Sequence, residues 1–481
     1  MPEQNHKVKL KRVLGFAPAY GAAVGLVVSG TAMFSVGNVA GTSGYATFIT
    51  AIIALIPMMA AAFAFGELTA MLPGGGMISD YTQPALGKFF STFALLSGYL
   101  VLISTDGAMQ LVMGGVSLES LCGVPQIAVT AVMFLIVIVI NMINVDFYGK
   151  IESVITIAMM IIFAAFAVLC NFRIGESFGA VTVNEGAPFL PEGGWMTVFS
   201  AVGSAIWFFI GFEFACPMAE ENKKPYKNIP YALIIGLLTI CLIDSLFALA
   251  AVRYTDLQIL RESNVPQIEA SRAMLGKPGY IIMTALTVMA SFTTANAYMA
   301  SLPRMLYGLA REGMVPKFLG KINKKTRTPI NGILFTAVLM LITVVYLSFS
   351  GAGVNVVQQL INIASITWMI SYAIAMIDVL VLRKRYPDFP RLWKAPCAFI
   401  TMPIGLLGVV FAIFTLRAYL WQAVICMAVV AAYCLIWGKV KGFALFKPTD
   451  IRDCVASIRA HSEPLEVWDE EIDRYCEAHK V

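Results

Sequence analysis

The sequence predicts an all-α polytopic membrane protein with about 12 transmembrane helices. Three observations predict it. Hydrophobic residues make up 59% of the 481-residue chain and charged residues 13%, with a mean hydropathy of +0.78. A soluble chain of this length needs roughly twice that charge to cover its surface. Apolar stretches long enough to cross a bilayer recur from residue 18 to residue 438, and hydrocarbon offers backbone amides no partner, so each such stretch must be a helix that satisfies its own. Finally, the basic residues are segregated by loop. The alternating ten-residue pattern of a transmembrane barrel is not seen.

Taken in order, residues 1–17 form a polar and basic segment carrying Lys7, Lys9, Lys11 and Arg12. The apolar stretch behind it is too long for a signal peptide and has no small-residue cleavage site. Spans are expected near 18–40, 46–70, 88–113, 125–144, 151–171, 196–219, 230–252, 279–302, 330–349, 355–382, 398–416 and 419–438. With the N-terminus inside, the outer loops hold only Arg173, Arg253, Arg261, Arg272, Lys277 and Arg417, leaving 28 of the 34 basic residues on the cytoplasmic side. Adding or removing one span scrambles this positive-inside bias, so both termini are expected in the cytoplasm and the chain in the cell (inner) membrane. Residues 439–481 form a charged tail dotted with Val455, Ile458, Leu465, Trp468 and Ile472. It reads as one or two short helices lying on the cytoplasmic face.

The same composition removes several function classes. Topology accounts for the net charge of +5 without a nucleic-acid partner. The three histidines, His6, His461 and His479, lie in the tails, so neither a metal site nor an intramembrane histidine relay is expected. No P-loop, His-Glu-x-x-His or Gly-x-Ser-x-Gly occurs, and the chain is not read as an enzyme or an ATP-driven pump. Nine cysteines are scattered without a Cys-x-x-Cys pair and read as small apolar fillers. Cys122 and Cys170 near the outer face leave one disulfide conceivable.

Two spans carry the marks of broken helices. The first reads GAAVGLVVSGTAMFSVGNVAG and the sixth GSAIWFFIGFEFACPMAEE, and they open successive five-helix halves. Ser29-Gly30-Thr31 and Gly211-Phe212-Glu213 are mid-span with polar neighbours, and unwinding is expected at both. Unwinding would present half-helix N-termini to a substrate carboxylate and free carbonyls to an ammonium or cation. Four acids within or at the ends of spans stand out: Glu67, Asp106, Glu213 and Asp244. Such acids are costly in a membrane and are functional candidates by default. Asp106 lies one turn before Gln110 and is a candidate to bind an amine or sense pH.

Three stretches resemble the amino acid–polyamine–organocation superfamily of transporters, of the amino acid permease type. They are FGELTAMLPGGGMISDYTQPALG at the end of span two, GSAIWFFIGFEFACPMAEENKKPYKNIP in span six and its loop, and SFTTANAYMASLPRMLYGLAREGMVPKFLGKINKKTRTP in span eight and its loop. The resemblance implies a five-plus-five inverted repeat of the bacterial leucine transporter type. Repeat one would cover about 18–171 and repeat two about 196–382, with two additional helices at about 398–438.

Carried over, the family's substrate site falls on Ser29, Gly30 and Thr31, where the family usually shows Gly-Ser-Gly, and on Phe209, Gly211, Phe212 and Glu213, with Asp106 flanking. Phe209 would cap the substrate. Where some members carry a proton-coupling lysine in span five, this chain has Met159. Sodium-coupled relatives use span-eight hydroxyls, which map to Ser291, Thr293 and Thr294. Ser291, Thr294 and Glu213 are therefore the candidates for ion or proton coupling, with H+ or Na+ as the ion. Glu67, Glu220, Glu221 and Arg304 are assigned to gating. The string AIWFFIGFE is also similar to that of ethanolamine-type permeases.

The function expected is a secondary active transporter, symporter or exchanger, moving a small amino acid by alternating access. An amine such as ethanolamine or a polyamine is the alternative cargo, and a transporter-derived sensor the non-transport alternative. Partners are then the small molecule and membrane lipid, with the protein a monomer or homodimer.

Overall fold

The computed structural model describes residues 11–143, 148–323, 326, 328–349 and 354–478, with backbone alone at 148–153, 178, 354 and 461. His6, His479, Lys7 and Lys9 lie outside the described residues, as do the side chains of His461 and Lys150. The described residues are almost entirely helical. In order they are α1 (Phe16–Gly25), α2 (Gly30–Ser43), α3 (Thr47–Met71), α4 (Ile78–Leu86), α5 (Lys88–Cys122, with a π turn at Leu95–Leu100), α6 (Gln126–Ile143) and α7 (Tyr148–Asn171). The second half opens with α8 (Trp195–Ser200), α9 (Val202–Phe208) and α10 (Phe212–Glu220). It continues through α11 (Pro225–Tyr254), α12 (Leu257–Glu262), α13 (Pro266–Arg311), α14 (Ile330–Phe349) and α15 (Val354–Arg385). Then come α16 (Ala398–Thr415), α17 (Leu420–Lys441), α18 (Ile451–His461) and α19 (Glu466–Ala478).

Ten helices among the described residues are long and apolar enough to cross a membrane, or up to eleven when α9 and α10 are taken as one bent span. The chain is thus a multi-pass membrane protein, and the expected count of twelve is not reached by helix length. The difference lies at the first expected span. It is divided into the ten-residue α1 and the 14-residue α2, and α2 runs on through the single turn Gly44–Ala46 into α3. A helix rises 1.5 Å per residue, so neither piece spans the bilayer alone.

Central helices are buried and peripheral ones are not, as lipid solvation requires. Leu135 on α6, Ile342 on α14, Leu407 on α16 and Val429 on α17 are each more than 60% exposed, which makes these helices the lipid-facing rim. Packing between helices relies on small residues that let backbones approach. A side chain at Gly37 would run into Pro266, one at Gly41 into Leu260 and Arg261, and one at Gly405 into Ala60 and Met376. Cys122 is exposed and Cys170 buried, both as free thiols, so the conceivable disulfide is absent.

The tail forms two helices, α18 and α19, packed on the face where the N-terminal residues lie. Trp468 Nε1 donates to the Met71 carbonyl at 3.0 Å. The Arg12 guanidinium donates to the carbonyls of Ala219 (2.7 Å), Asn222 (3.1 Å) and Glu463 (2.9 Å). One arginine so joins the N-terminal segment, the end of α10 and the tail.

Candidate substrate site between the two broken spans

The first span is interrupted between Gly25 and Gly30. Ser29 is extended (φ −117°, ψ 162°) and caps α2, its Oγ accepting from Ala32 N at 3.1 Å. This is the work serine does at a helix start, where the first amides have no partner in the helix. The Gly30 amide donates to Gln110 Oε1 from α5 at 3.1 Å. Gln110 Nε2 in turn donates to Thr31 Oγ1 at 2.7 Å and to Asp106 Oδ2 at 3.0 Å. Thr31 Oγ1 accepts also from Trp207 Nε1 at 3.2 Å and gives its own proton to Asp106 Oδ1 at 2.8 Å. Tyr298 of α13 also stands beside Asp106. Asp106 is 1% exposed and Gln110 and Thr31 are fully buried. All these partners of Asp106 are uncharged.

Glycine is required at position 30 by proximity. A Cβ there would lie 2.1 Å from Ser291 Oγ and 3.3 Å from Gln110 Oε1. Ser291 Oγ is fully buried and makes no hydrogen bond, and the same is true of the Thr294 hydroxyl at 1% exposure. Thr293 instead bonds back to the Met289 carbonyl of its own helix at 3.0 Å, a common fate of helical threonines.

The sixth span breaks between Phe208 and Phe212, with α9 and α10 bent by 40°. Gly211 takes φ +108°, a conformation that a side chain would strain. Its amide donates to Tyr372 Oη of α15 at 3.4 Å, and Tyr372 donates in turn to Glu213 Oε2. Glu213 is fully buried and its Oε1 makes no hydrogen bond. The two breaks touch: a Cβ at Gly211 would lie 3.3 Å from Leu26 Cβ in the span-one break. Between Asp106 and Glu213 stands an aromatic wall. Phe214 packs on Tyr298, Tyr99 and Trp368 with ring centroids 6.0, 5.7 and 5.9 Å apart.

A family model described as amino acid permease matches residues 14–438. The chain belongs to the amino acid permease family. It is 25% identical over 435 residues to the branched-chain amino acid permease BcaP of Bacillus subtilis, covering 85% of this chain and 88% of that one. It is 24% identical to the glutamate/serine transporter AimA of the same organism, covering 82% and 76%. It is 25% identical to the human large neutral amino acids transporter small subunit 2, covering 87% and 78%. Among solved structures, the manganese transporter of Eremococcus coleocola superposes with a TM-score of 0.57 at 13% identity, covering 94% of this chain and 99% of that one. That likeness establishes a shared fold, of the leucine-transporter type.

The permease's remaining candidate residues separate by position. Phe209 is fully buried, at the end of α9 beside the break. Glu67 lies elsewhere, in a salt-bridged cluster near the end of α3. It takes both Nε (2.8 Å) and Nη2 of Arg383, stands 3.2 Å from Arg391 Nε, and accepts from Ala395 N at 2.8 Å. Glu220 accepts from the Gly75 amide at 2.9 Å, and the Glu221 carbonyl accepts from Leu14 N at 2.9 Å. Both join the turn after α3, or the N-terminal segment, to the end of α10. Arg304 does not join them. It is exposed on α13, with no ion pair among the described residues. Asp244, on α11, is 7% exposed and outside the site.

Sequence reading passed over Tyr372, whose hydroxyl reaches Glu213, Trp207, which reaches Asp106 only through Thr31, Tyr298 beside Asp106, and Asp378. Asp378 is fully buried on α15 and accepts from Thr82 Oγ1 at 2.6 Å. The aromatic residues gave no signal, because in a membrane span a tyrosine or tryptophan reads as filler. Asn296 pairs with Asn141 at 2.8 Å, turned away from the breaks, whereas Trp368 stands in the aromatic wall.

Proposed function

We propose that this permease is a secondary active transporter that moves a small amino acid across the cytoplasmic membrane by alternating access, with both termini in the cytoplasm. The observation that carries the reading is the meeting of two helix breaks, at Leu26 and Gly211, inside a fully helical membrane core. A continuous helix has no spare backbone groups at the membrane centre. Two broken ones supply amides at the start of α2 for a carboxylate and carbonyls around Ile210 and Gly211 for an ammonium. A zwitterion fits that pair of poles without needing a charged side chain for each end. The named relatives, all amino acid transporters, support the cargo class. The orientation rests on the 28 to 6 division of basic residues.

In this reading Phe209 and the aromatic wall close over the side chain of the cargo. Glu220 and Glu221, with Arg12, hold the terminus-bearing gate shut. The coupling ion is H+ or Na+, and the unbonded Ser291 and Thr294 hydroxyls beside the span-one break are the groups a sodium ion would use.

A thermal-shift screen of the purified protein against amino acids and amines, with and without sodium, tests the reading, since a ligand that binds the native state raises its melting temperature. Saturable exchange of the stabilising ligand in proteoliposomes is the result expected. Conductance that does not saturate would point to a channel, and binding without flux to a sensor.

A further inference from the structure

The start of α2 is already occupied from within. The Gly30 amide is taken by Gln110 Oε1, and the same Gln110 side chain holds the Asp106 carboxylate one hydrogen bond farther on. If the cargo is an amino acid, as proposed above, its carboxylate must displace the Gln110 oxygen from Gly30. Ser291 Oγ, fully buried, unbonded and directed at Gly30, is the donor free to receive it. The arriving carboxylate then lies beside Asp106. Two carboxylates in a dry site cannot both stay ionised; such pairs hold one proton between them.

Among the described residues no basic side chain stands beside Asp106 to neutralise it instead. On its own helix it meets Gln110, on α2 Thr31, and on α13 Tyr298, with Trp207 of α9 reaching it through Thr31. Across α5, Gly107 faces Met340 of α14. Glu213 of α10 lies beyond Phe214 and Tyr298 and adds only negative charge. No lysine, arginine or histidine faces Asp106 from any of these elements.

We propose that Asp106 couples transport to protons: it takes one proton from solvent when an amino acid's carboxylate enters the start of α2, and returns it when the cargo leaves. The bookkeeping closes with no other ion. One O–H bond forms on Asp106 as the cargo binds, and the pair enters the site with one positive charge more than the zwitterion alone. Because binding linkage is reciprocal, the proton tightens the amino acid as much as the amino acid tightens the proton. Affinity for an amino acid therefore weakens by up to tenfold per pH unit once Asp106 ionises in the empty carrier. An amine without a carboxylate behaves oppositely, gaining affinity as Asp106 becomes charged.

Isothermal titration of the full-length purified protein with leucine, serine and glutamate, and with ethanolamine and isoamylamine, tests this between pH 5 and 8.5. Running each titration in two buffers of different ionisation heat counts the protons taken up. The expected result is close to one proton per amino acid bound at the alkaline end, with the tenfold slope. Asp106→Asn should lose both the slope and the proton uptake, whatever its affinity. A slope that survives in Asp106→Asn, or no proton uptake by the wild type, overturns the proposal while leaving amino acid transport standing. Amines that bind more tightly than the amino acids, and more tightly as pH rises, make Asp106 an ammonium ligand and also overturn it. If none of the five compounds binds at any pH, the transport reading fails together with the coupling.

Discussion

Two buried carboxylates, Glu67 and Asp106, are each 1% exposed, yet the protein treats them in opposite ways. Glu67 is enclosed by Arg383, Arg391 and the Ala395 amide, so its charge is matched on every side and the end of α3 is fixed to the loop between α15 and α16. Asp106 has only a hydroxyl and an amide as partners, from Thr31 and Gln110, with Tyr298 beside it. A buried ion pair is a structural clamp that resists rearrangement. A buried acid with no resident cation has its charge state left open, to be decided by what enters the site. The contrast separates architecture from function within one membrane core.

The largest effect should follow from breaking the clamp. Glu67→Gln leaves Arg383 and Arg391 buried without their counter-charge, and loss of one partner of a buried pair costs about 3–5 kcal/mol. A large drop in melting temperature of the purified protein is expected, whereas Asp106→Asn should leave that temperature nearly unchanged or raise it. Equal losses for the two variants would erase the distinction drawn here.

Next in size is Gly30→Ala. Its methyl would fall 2.1 Å from Ser291 Oγ, and overpacking of this kind costs roughly 1–3 kcal/mol. Transport affinity should fall at least tenfold by the same crowding, and Ser291→Ala in the same chain should recover part of the stability. If Gly30→Ala transports normally, the close approach of α2 to α13 is not part of the working site.

Tyr372→Phe should cost about 1–3 kcal/mol by leaving Glu213 and the Gly211 amide without the hydroxyl they share. Its effect on uptake should exceed its effect on melting temperature, because the bond lies at the break.

The last effect is a pH slope at the terminus-bearing face. Asp80, on α4 outside the spans, is pushed up to about 7 by burial and by the nearby charges of Glu312 and Glu220. Its pKa is higher folded than unfolded, so the folded protein holds the proton more tightly. That contribution is present below about pH 4 and is lost as pH rises toward 7. Asp80→Asn should flatten that part of the stability profile, which melting curves at successive pH values would show.

Much of this was legible in the sequence, for physical reasons. Hydrocarbon forces apolar stretches of fixed length, so the helical membrane fold follows from composition and spacing. Glycines beside polar residues in mid-span marked both breaks, Ser29-Gly30-Thr31 and Gly211-Phe212-Glu213, since few other residues permit them. The count of twelve spans is not reached by helix length, because the first span is divided into α1 and α2 and hydropathy reads through that break. Tertiary pairing was not legible. Nothing in the string AIWFFIGFE says that Trp207 turns to Thr31, or that Tyr372, 159 residues past Glu213, donates to it. Arg304, assigned to the gate by its place at the inner end of span eight, stands exposed, whereas Arg12, which drew no such assignment, ties the end of α10 to the tail.

The most direct measurement of the central claim is concentrative uptake into proteoliposomes under an imposed proton gradient, in sodium-free buffer. An unpaired Asp106 that takes up a proton with its cargo predicts accumulation of an amino acid above equilibrium, abolished by a protonophore and absent in Asp106→Asn. Uptake that only equilibrates, or that accumulates equally well in Asp106→Asn, would contradict it.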